Sequence, residues 1–263
     1  MALPDPIDLG GLGSVALVAQ LGDDLTVVNA ARASYARSCD TLGERELRLL
    51  AYLAENGHDS PFRHAVLAFQ IDAPLMVARQ WFKYRVGSTH SPDSAEVDLP
   101  IVARLDGQGD DGSDDPLHAR NEASRRYVRD RLEFYIPDLD QWRRAPKSGK
   151  QGSGDEIDNP EGQGWTQLLR WHVDVAVRGY QRAIDAGVAP ELARLFLPAY
   201  ALRTSWRWTA SLQAVAHFVR QRTHPHAQAE IRRFGHAVDQ LARFAYPHAY
   251  GALIGREADR ERE

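Results

Sequence analysis

Three segments carry side chains whose types and spacing can do chemistry. Asn121-Glu-Ala-Ser-Arg-Arg-Tyr127 sets two adjacent guanidiniums, a hydroxyl and a carboxylate within seven residues. Arginine forks match phosphate oxygens, the serine adds a donor, and Glu122 can accept from a sugar hydroxyl. The same stretch also fits an exposed helix laced with i,i+4 pairs. Gln80-Trp-Phe-Lys-Tyr-Arg-Val-Gly-Ser88 reads as a helix end with Lys83 and Arg85 flanking an aromatic ring. It can grip a pyrophosphate or a planar cofactor, or simply complement the helix dipole. Between Ser211 and Arg222, the residues Leu212, Val215, Ala216 and Val219 form an apolar helical stripe, and Gln213, His217 and Arg220 or Gln221 share another face suited to a ring edge.

His217, His224, His226 and His236 raise the question of a metal. No H-E-x-x-H or comparable ligand spacing is present, and we expect none bound. Cys39 is the single cysteine, which excludes an internal disulfide and a multi-cysteine metal site and reads as an incidental thiol.

The elements that must position these groups follow from periodicity and caps. Asp23 and Asp24 can cap a helix with Leu25, Val28 and Ala31 on one face. Thr41-Leu-Gly-Glu44 reads as a capping box before a second helix that Gly57 stops. Ala65-Val-Leu-Ala-Phe-Gln-Ile-Asp72 is a strand, and Pro74 opens a helix through Trp81 and Phe82. Phe134-Tyr-Ile136 is a second strand candidate. A long helix from about Trp165 ends at Gly187, and Pro190 starts the next, through Leu197. Alternation of Tyr200, Leu202, Thr204, Trp206 and Trp208 predicts a strand, followed by helices from Ala210 to about Arg222 and from Pro225 to about Tyr246. Long helices around a few non-adjacent strands predict an α+β fold.

The 263 residues carry 32 Lys plus Arg against 36 Asp plus Glu, a net charge of −4, so no global field favours nucleic acid or an anionic membrane. A phosphate ligand must meet a local cluster. No apolar run approaches the length of a membrane span, and the first residues lack the pattern of a signal peptide, which predicts a cytoplasmic protein. Residues 89–118 hold eight acids against Arg104 alone, and 146–164 is rich in Gly, Ser and charge; both read as mobile loops. We assign 1–255 to one domain, with an acidic insertion at 89–120 and a charged tail at 256–263.

Taken in order, Gly57-His-Asp-Ser-Pro-Phe-Arg-His64, Ala78-Arg-Gln-Trp-Phe82, Asn121-Glu-x-Ser-x-Arg-Tyr127, Glu133-Phe-Tyr-Ile-Pro137 and His226-Ala-Gln-x-Glu-Ile231 resemble flavin-dependent thymidylate synthases. The resemblance runs from about Leu21 to Tyr250. That family's signature, R-H-R-x-x-S-x-N-E-x-S-x-R-Y, is split here: Lys83-Tyr84-Arg85-x-x-Ser88 resembles its first half and Asn121 to Tyr127 its second. Residues 89–120 stand where the family has one. Lengthening a surface loop from about 10 to 40 residues costs only about 1.2 kcal/mol, so the fold accepts the insertion.

The resemblance implies a homotetramer with active sites built between subunits. It implies FAD, NADPH as reductant, methylenetetrahydrofolate as carbon donor, and methyl delivery to C5 of dUMP. Matched residue by residue, Glu122, Ser124, Arg125, Arg126 and Arg194 fall where family members hold dUMP, Gln80 at a further nucleotide-side position, and Arg222 where an arginine faces the uracil. Ser34, His58, Ser60, Lys83, Tyr84, Arg85, Val86, Ser211, Gln213 and His217 fall at flavin or folate positions. The departures gather on the cofactor side: Lys-Tyr-Arg for R-H-R, Ser211-Leu-Gln213-Ala for N-x-R-S with His217 for a following asparagine, and Arg63 where an acid is common. They leave two alternatives: a paralogue performing another C5 modification such as hydroxymethylation, and a catalytically silent nucleotide-binding subunit.

Overall fold

The computed structural model of the chain describes residues 2–82, 119–123, 132–147 and 152–260. Five strands form an antiparallel sheet in the order β1-β2-β3-β5-β4: β1 Ile7–Asp8, β2 Ser14–Leu21, β3 Val66–Pro74, β4 Ala119–Glu122 and β5 Arg203–Ser211. Eight helices lie among the described residues. They are α1 Asp24–Ala33, α2 Glu44–Glu55, α3 Leu75–Phe82, α4 Asn159–Asp185, α5 Pro190–Ala193, α6 Leu212–Thr223, α7 Ala229–Ala245 and α8 Ala249–Arg260. The fold is α+β, as the segregation of helices and strands predicts.

The sheet's inner face comes from the period-two alternation of β3, on which Leu67, Phe69, Ile71 and Ala73 are fully buried. Register carries that face across the sheet: Val15, Ile71 and Trp206 form one row, and Leu17, Phe69 and Trp208 the next. Trp81 of α3 sits edge-on to Trp206 and Trp208, with ring centroids 5.4 and 5.2 Å away, and stacks on Phe218 of α6 at 4.2 Å. These aromatic contacts anchor the end of α3, and so fix Gln80, its neighbour in sequence.

Buried polar groups tie the layers together. The Asp24 carboxylate accepts from the amides of His248 and Ala249, at 3.1 and 2.8 Å, at the start of α8. The Tyr246 hydroxyl donates to the Leu21 carbonyl at 2.5 Å, joining the end of α7 to β2. Gly13 has φ +136, and a Cβ there would lie 2.0 Å from the Asp72 carbonyl oxygen, so only glycine lets β2 start against β3.

Several predicted boundaries need correction. The N-cap of α2 is Gly43, whose amide donates to the Glu46 carboxylate at 3.1 Å, in place of the predicted box of Thr41 with Glu44. Phe134 makes only an isolated bridge to Leu202, since the Pro137 that follows cannot extend a ladder. The strand containing Trp206 and Trp208 begins at Arg203, because Leu202 N closes a turn onto Pro198 O at 3.2 Å; Tyr200 lies in that turn. Glu122 ends strand β4, which overturns the reading of 121–122 as helix. The loop assigned to 146–164 ends early, because α4 begins at Asn159. Helix α8 runs to Arg260, into the segment assigned to the charged tail. Strands β1 and β2 escaped the sequence reading because Ser14-Val-Ala-Leu-Val-Ala-Gln-Leu21 offers little contrast between its two faces.

Candidate functional site

Two cavities flank α3. The larger, about 790 Å3, is lined by Met76 and Gln80 of α3 and by Gln221 and Arg222 near the end of α6. The turn carrying His224, His226 and Gln228 closes one side, and Tyr135 and Trp142 another. The smaller, about 620 Å3, is lined by Leu75 and Arg79 of α3, by Glu122 and Thr204 on the sheet, and by Arg194 and Leu195. Residues 75 and 79 share one face of the helix and 76 and 80 the next, so α3 is the wall between the cavities.

In the larger cavity Arg222 Nη2 donates to the Gln80 carbonyl at 2.7 Å. The Gln80 amide in turn bonds to the Gln228 side chain, whose nitrogen lies 3.8 Å from Met76 Sδ. The residue expected to face the uracil and the expected nucleotide-side glutamine are therefore joined, although 142 positions separate them. The His224 and His226 rings stack with centroids 5.0 Å apart. The Tyr135 hydroxyl donates to Gln141 at 3.2 Å. Burial, reinforced by Glu230, pushes its pKa well above the ordinary phenol value, so this wall of the cavity holds a neutral phenol.

In the smaller cavity Thr204 Oγ1 donates to Glu122 at 3.0 Å, and Arg194 Nε donates to the Glu191 carbonyl at 3.2 Å. Arg203 is held by Asp72, through Nε at 2.7 Å, and by Glu133 at 3.2 Å. Glu122 and Arg194 thus meet in one cavity and Gln80 and Arg222 in the other; within a subunit the two pairs do not share a pocket. Ser124, Arg125 and Arg126, like Lys83, Tyr84, Arg85, Val86 and most of the acidic insertion, lie outside the described residues.

The remaining expected cofactor residues occupy the ends of α1, α2 and β5. Ser34 follows the end of α1, His58 precedes the short turn Ser60–His64 and Ser60 opens it; all three are exposed. Ser211 is buried and caps α6, accepting from Ala214 N at 3.3 Å. Gln213 is buried between two partners: it accepts from Arg63 Nε at 2.7 Å and donates to Asp59 at 2.9 Å. Arg63 Nη2 is also buried, with no hydrogen-bond partner among the described residues. A donor buried in that way calls for an acceptor supplied by a ligand or solvent. His217, half-buried, lies one turn further along α6. Among the described residues no three His, Cys, Asp or Glu side chains converge in a way that could hold a metal ion.

A family model described as thymidylate synthase complementing protein matches residues 16–248. This chain belongs to that family. The motif resemblance therefore holds over most of the chain. The flavin-dependent thymidylate synthase of Thermosipho africanus is 31% identical over 242 residues, covering 92% of this chain and 91% of that protein. The enzyme of the same name from Thermus thermophilus is 33% identical over 241 residues, covering 92% and 75%. Among solved structures, a UMP/dUMP methylase, PolB, from Streptomyces cacaoi bound with 5-Br UMP superposes with a TM-score of 0.71 at 26% identity, covering 92% of this chain and 93% of that one. The same methylase bound with 5-Br dUMP matches equally, at a TM-score of 0.71. A family built on this fold thus includes proteins named for pyrimidine nucleotide methylation.

What the sequence reading missed is the partnership of Arg63 with Gln213. The two departures looked separate in sequence because 150 positions lie between them. The only signal was that an acid and an arginine of the family pattern are both replaced.

Proposed function

We propose that the protein methylates C5 of dUMP to give dTMP, with methylenetetrahydrofolate as carbon donor, FAD as bound cofactor and NADPH as reductant. The observation that carries this reading is the Arg222 to Gln80 bond at the wall of the larger cavity. It holds a cation at the wall of the cavity in which we place the uracil ring. A preorganised guanidinium beside the ring carbonyl stabilises negative charge that develops on the pyrimidine as C5 reacts. Gln80, locked by Gln228, supplies amide groups for the ring edge. Tyr135 stays protonated and serves only as a neutral hydrogen-bonding group.

When bound, the flavin supplies the hydride that converts the transferred methylene to methyl. The residues that would hold it are His58, Ser60, Ser211, Gln213 and His217, with Lys83, Tyr84, Arg85 and Val86. The buried Arg63 Nη2 beside Gln213 fits an acceptor-rich cofactor. On the phosphate side, Glu122, Ser124, Arg125, Arg126 and Arg194 form the clamp.

Since Arg194 and Arg222 line different cavities of one subunit, we infer that each active site pairs the larger cavity of one subunit with the phosphate clamp of another in a homotetramer. The exposed apolar face of α4 and the following segment supports such assembly: Leu168 is 52% exposed, Trp171 61% and Leu195 78%. We read residues 1–255 as the catalytic domain. No helix among the described residues is long and apolar enough to cross a membrane, and we place the enzyme in the cytoplasm with its nucleotide and folate substrates.

Mass analysis of the product after incubation with dUMP, NADPH and methylenetetrahydrofolate tests the reading. A gain of one methyl group is expected, from a protein that is yellow when purified. A hydroxymethyl product, or a colourless protein that binds dUMP without turnover, would replace this reading with one of the two alternatives; the names of the relatives do not favour either.

A further inference from the structure

A third pocket, about 470 Å3, lies between the end of α1 and α2. Its wall carries Arg32, Arg37, Arg45 and Arg48 together with Tyr35 and Tyr52, and no acidic residue, in a chain whose net charge is −4. On α2 the residues Arg45, Arg48 and Tyr52 recur at helical spacing and share one face. The opposite wall comes from the turn that ends α1. Ala36 N bonds to Ala33 O at 3.0 Å and Arg37 N to Arg32 O at 3.4 Å, a helix-ending closure that needs a left-handed residue. That residue is Ala36, with φ 51, the one non-glycine with positive φ among the described residues. The turn leaves Tyr35 77% exposed beside Arg37.

Two of the four guanidiniums are matched: Arg32 bonds to Glu46 at 2.5 Å and Arg48 to Glu44 at 3.4 Å. Arg37 and Arg45 have no carboxylate at salt-bridge distance among the described residues, so the pocket keeps two uncompensated positive charges. Forked guanidiniums bind phosphate oxygens bidentately, and exposed tyrosine faces accept a flat heterocycle. The pocket also borders the expected cofactor region: Ser34 precedes Tyr35, and the His58 ring lies 6.0 Å from that of Tyr52.

We propose that this arginine and tyrosine pocket receives the phosphorylated adenosine end of the dinucleotide reductant, an inference that rests on the function proposed above. A chain of glutamate carboxylates could use the charges but would leave both tyrosine faces without a partner. The nucleotide uses both.

Isothermal titration of adenosine 2′,5′-bisphosphate into the full-length, flavin-loaded protein tests this. We expect saturable binding, tighter than that of adenosine 5′-monophosphate by about tenfold or more, because the second phosphate meets a second guanidinium. Joint Arg37→Ala and Arg45→Ala replacement is expected to weaken the bisphosphate by about tenfold or more while dUMP affinity holds. Should that double variant fail to fold, Arg45→Glu alone, a charge reversal on an exposed helical face, carries the same expectation. Equal affinity for the two nucleotides, or unchanged bisphosphate affinity in the variant, overturns the proposal. Binding to flavin-free protein alone would assign the pocket to the adenosine end of FAD, and also overturns it. Formation of dTMP is read separately: a protein that methylates dUMP but ignores the bisphosphate fails here only, and one that binds the bisphosphate without making dTMP fails the functional reading only.

Discussion

Arg63 and Gln213 are bonded side chain to side chain, Nε to Oε1, at 2.7 Å. Both positions depart from the residue types that the family resemblance implies there, and in this chain the two departures touch. The neutral Gln213 spares Arg63 a like charge, and its nitrogen remains free to donate to Asp59. Arg63, Gln213 and Asp59 thus form one bonded row in this chain.

That coupling is measurable. Arg63→Ala and Gln213→Ala should each destabilise the fold by about 1–2 kcal/mol, and the double variant by about 1 kcal/mol less than their sum. Urea unfolding of the four proteins closes the cycle, and strict additivity would contradict a shared bond. Gln213→Arg alone should lower both the melting temperature and flavin retention by setting two guanidiniums together. Adding Arg63→Glu should restore both.

If Arg222 faces the uracil as proposed, Arg222→Ala is expected to lower kcat by about 10²–10³, through loss of a cation that stabilises developing charge. Arg222→Lys should recover little, since a point charge cannot hold the Gln80 carbonyl and a ring oxygen as a fork does. Steady-state rates with saturating dUMP decide this; near-normal turnover of the alanine variant would remove Arg222 from the chemistry.

Arg194→Ala should also be inactive, through lost phosphate binding. If one site takes Arg222 from one subunit and Arg194 from another, co-refolding the two inactive variants regenerates some sites with both arginines intact. Recovery of dTMP formation in the mixture is the expected result. No recovery would overturn the pairing of the two cavities across subunits.

Ala36 pays a steric penalty at φ 51 that glycine would not. Ala36→Gly should therefore stabilise the protein by about 0.5–1 kcal/mol, seen as a higher melting temperature. A loss of stability would show that the turn is held by more than its backbone closure.

Burial pushes the Tyr246 hydroxyl from its ordinary value of 10.0 up to about 12. The folded state holds this proton more tightly than the unfolded chain, so the associated stability is fully present below pH 10 and is lost as the pH rises towards 12. Melting temperatures measured across that window should fall. Tyr246→Phe should flatten the decline while lowering stability at neutral pH by about 1 kcal/mol, through loss of the bond to Leu21. An unchanged slope in the variant would mean that other groups carry the alkaline loss.

Local sequence determined much of the frame. The alternation of Leu67, Phe69 and Ile71 specifies a buried strand face, and Pro74 and Pro190 mark helix starts, because period and backbone restriction are properties of neighbouring residues. The ordered motifs identified the family, and Gln80 and Arg222 were both legible as candidates. What local sequence does not encode is which distant residues meet. The Arg222 to Gln80 bond, the Arg63 to Gln213 bond and the separation of Arg194 from Arg222 by helix α3 exist only once the sheet register and the Trp81 cluster fix three segments in space. The arginine pocket at Ala36 is of the same kind: its side chains come from a turn and a helix face whose meeting is set by tertiary packing, since charge placed around a cavity is a property of three-dimensional distance rather than of order along the chain.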